Sequence, residues 1–97
     1  MLSSTAASFN VTDAVKLTPG DMIAAAGSFE GAPVVGLPDT RLVRVRVNGE
    51  QRLELRGYPV ERLDWLKSLG CFTEIIRFRT RLFLPPDGAE RILTAIG

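Results

Sequence analysis

The stretch Arg41–Arg56, RLVRVRVNGEQRLELR, decides the fold class. Val43, Val45 and Val47 alternate with Arg44 and Arg46, and Leu53 and Leu55 alternate with Arg52, Glu54 and Arg56. Period-two alternation is the signature of a half-buried strand, and Asn48-Gly49 between the two runs is a strong hairpin signal. The register follows from which residues must share a face. A two-residue loop would pair Val47 with Glu50 and Val45 with Arg52, mixing valines and charges on one face. A three-residue loop, Val47-Asn48-Gly49, pairs Arg46 with Glu50 and Val43 with Leu53 and keeps the faces distinct. The expectation is therefore a type I turn with a left-handed Gly49 in a G1 bulge.

On the N-terminal side, residues 27–40 (GSFEGAPVVGLPDT) hold three glycines and two prolines and read as loop, with Val34-Val35 as a short strand at best. Thr18-Pro19-Gly20-Asp21 reads as a type II turn, or as a helix start with Thr18 as N-cap and Pro19 at N1. In the second case Met22–Ala26 would be a single helical turn ended by Gly27; a strand there is preferred. Phe9, Val11, Val15 and Leu17 alternate with polar neighbours and predict a strand. Met1–Ser8 has neither a basic start nor an apolar run, so a flexible terminus is expected rather than a signal peptide.

On the C-terminal side, Val60, Leu63, Leu66 and Leu69 recur at helical spacing, with Pro59 suited to N1 and Gly70 to C′. Trp65 falls at the edge of that stripe, as a core rim residue or a partner anchor, the core reading being preferred. Phe72–Leu84 returns to period two and reads as one strand, with Ile75, Arg77, Arg79, Arg81 and Phe83 on one face and Glu74 on the other. Pro85-Pro86 stops it. Asp87 and Glu90 suggest a capping box for a last helix, with Ala89, Ile92, Leu93 and Ile96 as its apolar face. The predicted architecture is α+β: one domain over residues 9–97, a twisted antiparallel sheet or partly closed barrel, and two helices at about 60–69 and 88–96.

Composition narrows the function. The 97 residues carry 12 Lys+Arg and 11 Asp+Glu, with no histidine and one cysteine, Cys71. The commonest general base and metal ligand are thus missing, and neither a disulfide within the chain nor a CxxC motif can form. Cys71 follows a helix C-terminus and is expected to be buried and inert. No catalytic residue, metal or cofactor is expected. No run of about 18 apolar residues exists, so no membrane partner is expected, and a cytoplasmic location is the default.

The charge is unevenly laid out. Residues 1–40 carry Lys16 against Asp13, Asp21, Glu30 and Asp39, whereas residues 41–81 carry nine arginines and Lys67 against five acids. Strand alternation puts Arg44, Arg46, Arg52 and Arg56 on the outer face of the hairpin and Arg77, Arg79 and Arg81 in a row on the later strand. Residues two apart on a strand are about 6.6 Å apart, a spacing that can follow a phosphate backbone. Arginine also binds phosphate bidentately and stacks on bases. These seven are the candidate nucleic-acid contacts. Tyr58 and Phe83, with Phe29 in the glycine-rich loop, are the candidate exposed aromatics, and Tyr58, Trp65 and Phe83 the candidate partner contacts.

Pro19-Gly20-Asp21-Met22-Ile23, Gly27-Ser28-Phe29-Glu30-Gly31, Val34-Val35, Arg41–Val47, a glycine turn and Leu53-Glu54-Leu55 follow one another in order. Together, over residues 18–63, they resemble the KOW-type SH3-like barrel of bacterial transcription elongation and antitermination factors. Pro33 departs from that pattern, where a glycine normally precedes the valine pair, and residues 64–97 lie outside it. The resemblance implies an SH3-like barrel and binding to RNA, a ribosomal protein or the transcription machinery, without catalysis. The expected function is a non-catalytic module whose arginine face contacts nucleic acid or a nucleoprotein machine. The alternative is a protein-interaction or inhibitor module, such as a phage or mobile-element accessory protein, using an edge strand and Trp65 against an acidic partner. With Ile75 and Phe83 both placed on the arginine face, a homo-oligomer is also expected.

Overall fold

The computed structural model describes residues 17–97. The flexible terminus expected at 1–8 and all but the last residue of the strand expected at 9–17 lie outside them. The elements are α1 (Pro19–Ala25), β1 (Ala32–Pro33), β2 (Arg41–Val47), β3 (Glu50–Arg56), a 3-10 turn (Val60–Arg62), α2 (Leu63–Leu69), β4 (Phe72–Ile76), β5 (Arg79–Leu84) and α3 (Ala89–Ile96). The fold is α+β, with one five-stranded antiparallel sheet in the order β1-β2-β3-β5-β4. The sheet is open, with β1 and β4 as its edges. Among the described residues there are three helices where two were expected.

The extra helix is α1. Thr18 accepts a hydrogen bond from the Asp21 amide at 3.1 Å, and Asp21 accepts one from the Thr18 amide at 3.3 Å. This capping box and Pro19 in the first turn satisfy amides that a helix start otherwise leaves bare. A type II turn needs positive φ at its third residue, and Gly20 does not adopt it. The short strand in the following loop is Ala32–Pro33 rather than Val34-Val35.

The core lies between the helices and one sheet face. Leu42, Leu55, Leu82 and Leu84 of the sheet meet Met22 of α1, Leu66 of α2 and Ile92, Leu93 and Ile96 of α3. The α2 segment departs from expectation at its start. Pro59 precedes a 3-10 turn instead of opening the α-helix, and Val60 is 75% exposed, off the apolar stripe. Gly70 at φ 122° ends α2 as expected of a left-handed cap residue. The Asp87–Glu90 capping box does not form; Gly88, at φ 97°, is the N-cap of α3 and no side chain caps it.

Both hairpins have two-residue turns. Val47 pairs with Glu50, Val45 with Arg52 and Val43 with Glu54. Asn48 and Gly49 have φ of 52° and 81°. This is a type I′ turn, whose twist matches the strands, and not the expected G1 bulge. The continuous strand expected over 72–84 is β4 and β5 joined at Arg77-Phe78, where φ is 55° and 69°. A turn of two residues reverses parity, so the even residues of β4 share a face with the odd residues of β5. Glu74 therefore pairs with Arg81, on the same face.

Candidate nucleic-acid interface

The sheet face away from the helices carries Val43, Val45, Val47, Glu54, Arg52, Phe72, Glu74, Phe83 and Arg81. The valine-with-charge mixing that argued against this register is tolerated because the charges are paired. Glu54 is only 5% exposed. It accepts two hydrogen bonds from Arg81, Nε to Oε2 at 3.1 Å and Nη2 to Oε1 at 2.7 Å, and one from Arg56 Nε at 3.2 Å. Burial pushes the Glu54 carboxyl up, but the hydrogen bonds and charges of Arg81 and Arg56 outweigh it and hold it below its ordinary value. Arg52 Nη1 sits 2.8 Å from Glu74 Oε2. The arginine stems meanwhile cover apolar surface.

Phe83 lies under this charge layer. It is 0% exposed, its ring centroid is 5.8 Å from that of Phe72, and the guanidinium carbons of Arg52 and Arg81 stand 5.1 and 5.6 Å from it. The expectation that Phe83 is an exposed aromatic is corrected: it is the buried anchor of the second face. Ile75 is 76% exposed but on the opposite face from Arg81, so the apolar patch expected from Ile75 and Phe83 together is absent. Tyr58 and Trp65 are half-buried and pack on the core, and Arg62 stacks on the Trp65 ring at 4.0 Å.

The seven candidate arginines divide. Arg44 is a helix cap: its Nη2 donates to Ile23 O at 2.8 Å and its amide to Ala26 O at 2.9 Å, tying β2 to the C-terminus of α1. Arg52 is held by Glu74 and Glu50. The other five border one open groove of about 520 Å³ on the charged face. Arg46, whose Nη1 donates to Gly49 O at 3.0 Å, stands on its β2–β3 side with Val47 and Asn48. Arg56 and Arg81, preset by Glu54, lie along it, and Arg77 and Arg79 stand with Ile76 on its β4–β5 side. The groove thus has five arginines against one carboxylate. Arg77 and Arg79 are exposed and have no ion-pair partner among the described residues. The row expected along one strand is instead a rim shared by three strands and a turn.

Two aromatic side chains stand clear of the protein beside this face. Phe78 is 101% exposed, at the turn between Arg77 and Arg79. Phe29 is fully exposed above a shallower depression lined by Arg41 and Arg56, so Arg56 borders both hollows. Phe78 escaped the sequence reading because alternation put it on the apolar side of a single strand. A 13-residue run, against the five or six usual for a strand, was the signal that a turn lay inside it.

Cys71 is buried, and burial pushes its thiol up to about 11. Among the described residues no group of three His, Cys, Asp or Glu side chains is placed to hold a metal ion, and no helix is long and apolar enough to cross a membrane. Comparison with protein-family models, curated proteins and solved structures finds no match.

Proposed function

We propose that this protein is a non-catalytic binding module whose arginine-bordered groove takes the phosphate backbone of a nucleic acid. The observation that carries this reading is the groove itself, where Arg46, Arg56, Arg77, Arg79 and Arg81 converge with Glu54 as the sole carboxylate among the described residues. Glu54 holds Arg81 and Arg56 in fixed orientations, so less side-chain freedom is lost on binding. Arg77 and Arg79, without an ion-pair partner among the described residues, supply charge at the rim. The resemblance of residues 18–63 to KOW-type modules supports the same class of partner, although Pro19-Gly20-Asp21 opens a helix here.

The test is binding of labelled RNA and DNA across a salt series. The double variant Arg77→Gln/Arg79→Gln should bind more weakly, with the slope of log K against log salt reduced by about one and a half to two units. Arg81 is left intact, because it is bound to Glu54 and its loss would disturb the fold as well as the charge. A parent protein that binds no nucleic acid at low salt refutes the reading.

One observation favours a second reading. Among the described residues the β4 strand is an open edge, with its own Ile75 exposed and Glu74 already engaged by Arg52. Such an edge accepts a strand from a protein partner or a second copy of the chain. That association would be largely insensitive to salt and would raise the sedimenting mass above 10.6 kDa.

A further inference from the structure

We infer that the strand taken by the groove is single-stranded and that Phe78 is the platform on which one of its unpaired bases stacks. The inference rests on the nucleic-acid reading and adds to it the form of the ligand and a residue.

The first observation is the turn. Arg77 and Phe78 occupy both central positions of a two-residue hairpin at φ of 55° and 69°. Side chains with a bulky Cβ substituent rarely adopt this region, and such turns strongly favour Asn-Gly. The other hairpin of this sheet has that sequence, Asn48-Gly49. The β4–β5 turn thus keeps a costly pair of residues where a better turn sequence is available, as is common where a side chain is needed for contact.

The second observation is exposure. The Phe78 ring is fully outside and stacks on no aromatic ring or guanidinium among the described residues, so its apolar surface does nothing for the fold. The third is placement. Phe78 lies directly between Arg77 and Arg79, two exposed cations of the groove rim. Positive charge that tracks a backbone, with an aromatic ring beside it for the bases, is the arrangement by which single strands are held without sequence readout. A duplex keeps its bases stacked on one another and presents no free face to such a ring.

The experiment measures fluorescence anisotropy of labelled oligo(dT), oligo(U) and a mixed-sequence duplex of equal length at low salt. Either single strand serves, and the pair tells DNA from RNA. Phe78→Asn is the decisive variant, because Asn suits the left-handed turn and the protein should fold at least as well. It should bind single strands about ten- to a hundred-fold more weakly with an unchanged salt slope, and Phe78→Tyr should restore affinity. The parent should prefer single strands to the duplex. If Phe78→Asn binds single strands as the parent does, or the parent prefers the duplex, the stacking inference is overturned while the groove reading stands. If the parent binds neither form, both fall.

Discussion

Replacing Glu54 by Gln tests whether the second sheet face is held by its ion pairs. Glu54 is almost fully buried and accepts three hydrogen bonds from two guanidinium groups, the shortest at 2.7 Å. At an effective dielectric constant of about 20, unit charges at that distance attract by about 6 kcal/mol. Desolvating the carboxylate offsets much of this, so the net worth of the network is smaller. The cost of breaking it is another matter. Gln keeps the size and one acceptor, but its amide group would face the guanidinium donors of Arg81, whose side chain is only 24% exposed. Leaving a partly buried charge without its counterion costs about 2–3 kcal/mol, below the range for fully buried pairs because Arg81 retains some water. Urea unfolding followed by Trp65 fluorescence or far-UV circular dichroism would show the midpoint falling at constant slope. A loss below about 0.5 kcal/mol would refute the reasoning and place the network with ordinary surface pairs. The pH dependence adds a second check. The folded-state carboxyl titrates below its ordinary value of 4.5, so the stability it contributes is complete above that value and is lost as pH falls through the folded-state value. The gap between parent and Glu54→Gln should therefore narrow below about pH 4.5.

At the other hairpin, Gly49→Ala should cost about 1 kcal/mol, because φ is 81° while nothing lies within 4 Å of an added Cβ, so backbone conformation alone is perturbed; an unchanged urea midpoint would count against the type I′ turn. Cys71 should resist a thiol reagent at pH 8 in the folded protein and react readily in denaturant, since its thiol is buried and titrates at about 11; equal rates in the two states would show the site to be open.

Local residue choice made several elements legible. Asn48-Gly49 marked a turn, because few residues accept positive φ at both central positions. The leucines at 63, 66 and 69 marked α2, and Ala89, Ile92, Leu93 and Ile96 marked α3, since an apolar stripe at helical spacing has one way to be buried. The overall α+β class followed from these together. A helix start at Thr18-Pro19 was legible as one of two readings, but helix and turn are close in local energy for so short a segment, and packing of Met22 into the core favours the helix.

The sequence by itself determined that residues 41–56 form a hairpin, that helices follow it, and that the middle of the chain is basic. Only the tertiary structure decided which residues share a face. Register depends on whether charges among apolar residues find partners, and Glu54 finds its second arginine 27 positions away, on β5. The turn at Arg77-Phe78 was hidden for the same reason, because its cost is local while the pairing that holds it, β5 against β3 and β4, is not. A two-residue turn shifts parity by one, and that shift brought Glu74 onto the face of Arg81, buried Phe83 beneath arginines, and left Phe78 in the open.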